Sequence, residues 1–171
     1  MAKRKQRSPE RAQRRFQTLL RQGTQALHQG DISTAIKLLE QSCQLNKDNP
    51  DAALNLSGAY ILAKKFAQAA AILEPLSEQE ADNPMVWTNL GAAYLGNPIL
   101  ATDERQQRAI SAFKQALTLD PATPNVAYNL GLIYRDRQET AEAIRWFQRA
   151  IETNPNDKDA RHYLHLLQTP Q

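Results

Sequence analysis

The sequence predicts an all-α chain in which antiparallel helix pairs stack into a solenoid closed by a C-terminal capping helix. Three observations carry this prediction. One stretch of sequence returns at a period of about 34 residues, the signature of a repeat architecture. Within each return the apolar residues fall at i, i+3 and i+7, one stripe along a helix. Glycine is scarce, six in 171 residues, while alanine and leucine abound, and both lose little freedom in a helix.

The return is plainest between Trp87-Thr88-Asn89-Leu90-Gly91-Ala92-Ala93-Tyr94 and Ala127-Tyr128-Asn129-Leu130-Gly131-Leu132-Ile133-Tyr134, with a looser copy at Ala53-Leu54-Asn55-Leu56-Ser57-Gly58-Ala59-Tyr60. Each copy precedes a second amphipathic segment: Ala69 and Leu73, then Ala109, Phe113, Ala116 and Pro121, then Ala143, Phe147, Ala150 and Pro155. Small residues such as Gly91 and Ala109 let paired helices approach closely. Pro121 and Pro155 end the second helices, because proline lacks an amide proton and restricts the residue before it. A single pair cannot hide its stripe, so neighbours must stack.

Trp87, Leu90, Gly91, Tyr94, Ala109, Phe113 and Pro121 resemble, residue by residue, the consensus of the tetratricopeptide repeat family. The resemblance implies a right-handed superhelix of antiparallel helix pairs, and it predicts these elements in order. Residues 1–15 form a basic N-terminal arm, either disordered or extending the first helix. Ser8, Pro9 and Glu10 read as a helix start, with serine as cap and proline in the first position. Stepping back 34 residues from Ser57 and Ala69 reaches Gly23 and Ala35, so a degenerate first unit spans 16–49. The second spans 50–83, the third 84–123 and the fourth 124–157.

The third is overlong, since Gly91 to Gly131 spans 40 residues. The six-residue insertion falls between Gly96 and Thr102. There Asn97-Pro98 breaks the first helix and Thr102, followed by Asp103 and Glu104, caps the second. It forms either a tolerated surface loop or a flap presenting Ile99 and Leu100 to a partner. Ala160, Tyr163, Leu164 and Leu167 give the apolar face of a capping helix over about 158–168, followed by a tail to 171.

Charge is unevenly spread. The net +3 divides into +6 over residues 1–15 (Lys3, Arg4, Lys5, Arg7, Arg11, Arg14 and Arg15 against Glu10) and −3 over the rest. Attraction to nucleic acid or an acidic surface therefore belongs to the arm, whose other reading is a solubilising tail. No run of apolar residues has the length of a signal peptide or a membrane span, so a cytoplasmic, unanchored chain is expected.

Catalysis finds no constellation here. Cys43 alone supports neither disulfide nor CxxC metal pair and reads as a packing residue. His162 and His165 read as a surface pair lacking further metal ligands. There is no glycine-rich phosphate loop. No cofactor and no enzymatic activity are expected.

The family resemblance implies that the first helix of each unit lines a concave groove that takes a peptide or partner helix. The position two before the packing glycine is occupied by Arg21, Asn55, Asn89 and Asn129. The three asparagines resemble the asparagine ladder of the glycosyltransferase repeats, since an amide can donate to and accept from a peptide backbone. Asparagine at this place also serves packing and local hydrogen bonds. Leu54, Thr88, Tyr128, Leu132 and Arg135 flank the row, a mixed and fairly apolar lining suited to an amphipathic partner segment. A clamp for a terminal carboxylate is argued against by Leu20 and Thr24 at the matching positions of the first unit, and by Met85 and Asn89 where that resemblance requires cations. Self-association through an exposed solenoid end is a further structural reading.

Overall fold

The computed structural model describes residues 2–97 and 100–169, with side chains from Pro9 onward. Pro98 and Ile99 of the insertion lie outside the described residues, as do the side chains of Lys3, Arg4, Lys5 and Arg7. The described residues form helices α1 (Ala2–His28), α2 (Ile32–Leu45), α3 (Pro50–Leu62), α4 (Phe66–Gln79), α5 (Pro84–Leu95), α6 (Asp103–Leu119), α7 (Val126–Asp136), α8 (Thr140–Thr153) and α9 (Lys158–Gln168). They fall into two compact units, α1–α4 up to Ala81 and α5–α9 from Asp82.

In the first unit α1 packs on α2, α2 on α3 and α3 on α4. Phe16, Leu19, Ala26, Leu39, Leu56 and Leu73 are buried. A Cβ built on Gly23 would lie 2.7 Å from Leu39 Cγ, so a hydrogen is all this contact admits. The Tyr60 hydroxyl donates to Glu40 Oε1 at 2.6 Å, tying α3 to α2. Burial, reinforced by that carboxylate, pushes the Tyr60 phenol up to about 12.

In the second unit α5 packs on α6, α6 on α7, α7 on α8 and α8 on α9. Gly91 and Gly131 repeat the close approach: a Cβ would meet the Phe113 ring at 2.6 Å and the Phe147 ring at 2.7 Å. Phe147 stacks on Tyr163 of α9 at 5.5 Å between ring centroids. Ala160 is fully buried, and Tyr163, Leu164 and Leu167 pack against the same core.

The turns inside three pairs share one geometry. Gly30, Lys64 and Gln138 all have positive φ, at 78°, 59° and 61°. The next amide reaches back five residues, Asp31 to Ala26, Lys65 to Tyr60 and Glu139 to Tyr134, at 2.8–3.0 Å. This is the Schellman closure, which satisfies otherwise orphaned helix carbonyls. In the overlong third pair α5 stops at Leu95, with Gly96 at φ 61° and ψ −125°, and no such closure forms among the described residues. Thr102 caps α6, accepting from the Arg105 amide. Two of the helices that open a pair, α3 and α5, start on capped prolines, with Asn49 Oδ1 accepting from Ala52 N and Asn83 Oδ1 from Met85 N.

One expectation is corrected. The start anticipated at Ser8-Pro9 does not form: α1 begins at Ala2 and carries Pro9 inside it. Proline's fixed φ is helical, and near a helix start its missing amide forfeits one hydrogen bond, so the helix runs through. α4 carries a proline too, Pro75, well inside the helix.

Candidate functional site

The position two before the packing glycine is fixed by geometry. Gly91 and Gly131 face the second helix of their own pair, and two residues turn a helix by about 200°. Asn89 and Asn129 therefore project from the opposite side of α5 and α7. Both are half-buried, and neither side-chain amide bonds to another described residue. Asn55 differs: its Nδ2 donates to Thr24 Oγ1 at 3.0 Å, a bond from α3 to α1. Arg21, the fourth member of the row, is exposed on α1.

The flanking residues divide. Leu54 and Thr88 are half-buried, and the Thr88 hydroxyl donates to the Pro84 carbonyl of its own helix at 2.8 Å. Tyr128 contacts Phe147 edge-on at 6.0 Å and lies 6.4 Å from Tyr163. It also borders a hollow of about 290 Å³ with Thr123, Asn125, Asn154 and Asp157. Arg135 donates from Nε and Nη2 to Asp136 Oδ1 at 2.9 and 2.5 Å and covers the Tyr163 ring at 4.6 Å. Tyr128 and Arg135 thus seat α9. No sequence signal separates that role from groove lining, because Tyr163 lies far along the chain.

On α1, Arg11, Arg14, Arg15 and Arg21 are exposed. Arg14, Gln17, Thr18 and Arg21 border a shallow hollow of about 410 Å³. Cys43 lines an apolar hollow of about 250 Å³ with Leu56, Ile72, Pro75 and Leu76. Burial pushes its thiol up, opposite to the lowering that marks a reactive cysteine. His162 and His165 are exposed on α9. No group of three His, Cys, Asp or Glu among the described residues could hold a metal. No described helix is long and apolar enough to cross a membrane.

Comparison with known proteins agrees with this anatomy. Among curated relatives, the probable UDP-N-acetylglucosamine–peptide N-acetylglucosaminyltransferase SPINDLY of Arabidopsis thaliana is 28% identical over 117 residues, covering 67% of this chain and 12% of that protein. The BBSome complex member BBS4 of Bos taurus is 31% identical over 94 residues, 55% of this chain and 15% of its own length. PYG7 of Arabidopsis thaliana, a chloroplastic tetratricopeptide repeat domain-containing protein, is 27% identical over 61% of this chain and 34% of its own. The chain thus spans between 12% and 34% of these relatives' length. Among solved structures, MamA from Desulfovibrio magneticus RS-1 superposes with a TM-score of 0.71 at 20% identity, covering 84% of this chain and 78% of that one. The APC/C hetero-tetramer Cut9–Hcn1 gives 0.78 at 22%, covering 90% and 30%. Two tetratricopeptide repeat models match, over residues 26–93 and 98–158. With the glycine-to-ring contacts, the helix pairs and both matches in agreement, the chain belongs to the tetratricopeptide repeat family.

Proposed function

We propose that this chain is a non-catalytic protein-interaction module whose second unit accepts a peptide or helical segment along α5 and α7. Repeats of this family mediate protein–protein interactions in general. The observation that carries the narrower reading is the pair Asn89 and Asn129. They hold the same register on consecutive first helices, face away from their own second helices and leave donors and acceptors unspent. Asn55 stands outside the proposed site because its amide is already engaged by Thr24. Arg135 also stands outside it, because its side chain is engaged by Asp136 and the Tyr163 ring of α9.

The test is affinity capture with the wild-type chain and with the Asn89→Ala/Asn129→Ala double variant. Each lost amide contact removes about 1 kcal/mol, so recovery of specifically bound protein is expected to fall about tenfold or more. Undiminished recovery, with helicity and melting intact, would remove the asparagines from the site.

A further inference from the structure

The first 30 residues hold eight lysines and arginines against one acid, Glu10. Along α1, Arg11, Arg14, Thr18 and Arg21 recur at alternating steps of three and four, which is one face of the helix. All four are exposed. The buried residues Phe16, Leu19, Gly23 and Ala26 follow the same alternation on the opposite face, so packing within the first unit aims the arginines at solvent. None of Arg11, Arg14, Arg15 and Arg21 has an ion-pair partner among the described residues. In the sequence the spacing continues back through Arg7 and Arg4. From Arg4 to Arg21 is about 25 Å of helix.

We infer that this face of α1 binds the phosphate backbone of a nucleic-acid duplex. Three features favour that partner over other anions. A duplex presents a charge about every 1.7 Å of its axis, a density that a long, uncompensated arginine row can meet along its whole length. Six of the eight cations are arginine, whose planar fork pairs phosphate oxygens two at a time. Before Phe16 no apolar residue larger than alanine or proline follows Met1. A membrane-inserting helix would need an apolar face there, and single strands are usually gripped by aromatic stacking. Gln13 and Gln17, interspersed among the arginines, are exposed and neutral, and can hydrogen-bond the same backbone.

The inference is independent of the peptide site, which lies on α5 and α7. It is tested by fluorescence anisotropy of the full chain with a fluorescein-labelled DNA duplex of about 20 base pairs and arbitrary sequence, across a salt series. The expected result is binding whose logarithm falls linearly with the logarithm of salt, with a slope of about −4 or steeper. In the Arg11→Gln/Arg14→Gln/Arg15→Gln/Arg21→Gln variant the slope should lose about 0.9 for each arginine that contacts phosphate. These side chains are exposed, so the variant's helicity and melting should match wild type. The inference is overturned if the wild-type chain leaves the duplex free at low salt, or if the variant keeps the wild-type slope. It is equally overturned if a polyglutamate peptide or phosphatidylserine vesicles bind more tightly than the duplex at the same salt.

Discussion

At Gly91 and Gly131 the helix gives up side-chain packing of its own so that a phenylalanine from the facing helix can occupy the space. A Cβ at either site would lie 2.6–2.7 Å from a ring carbon, closer than real contacts allow, and a phenyl ring held in a packed core has little room to retreat. Alanine gains about 1 kcal/mol over glycine in helix propensity, but overpacking of this kind costs about 1–3 kcal/mol. Gly91→Ala should therefore lower stability by up to about 2 kcal/mol in urea unfolding. Added to Phe113→Leu it should cost less than the two changes separately, with about 1 kcal/mol of coupling between them. The first unit supports this. Gly23 faces a leucine, Leu39, and Ser57, which replaces the glycine, is buried with its hydroxyl donating to the Leu54 carbonyl.

At the scale of the element, the turn inside each pair decides how tightly the pair closes. Three turns use a residue in the left-handed region, and two of these residues, Lys64 and Gln138, carry a Cβ that opposes it. Lys64→Gly and Gln138→Gly should each raise stability by up to about 1 kcal/mol, and Gly30→Ala should lower it by about 1 kcal/mol. Thermal melts of the three variants check both signs. Helix periodicity and the small contact residues made the pairs legible in the sequence, because a close approach admits few residue types. The turns were less so, since neither lysine nor glutamine announces positive φ. Pro9 was misread as a helix start because near an N-terminus proline forfeits a single hydrogen bond, which α1 accommodates. The commitment of Asn55 to Thr24 was equally hidden: its partner is 31 residues away, and no local pattern distinguishes it from Asn89 or Asn129.

For the molecule as a whole, α9 finishes what the repeats leave open. Without it the apolar face of α8 around Phe147 would meet water, a liability shared by every stack of repeats. Tyr163 supplies the seal by stacking on Phe147 and lying beneath Arg135. Tyr163→Ala should cost about 2–4 kcal/mol, the range for a large aromatic removed from a core contact, and should increase dye binding to exposed apolar surface. Arg135→Ala should weaken the same seal while leaving partner capture unchanged, which separates support of α9 from ligand contact.

The contact between a glycine on one helix and a ring on the next also bears on how such a chain can change over generations. A duplication that copies a whole pair copies both halves of the fit and yields a unit that packs at once. A point substitution alters one half and strands the other. Gly91 with Phe113 and Gly131 with Phe147 are two such couples, so a change at one member constrains which replacements its mate can accept.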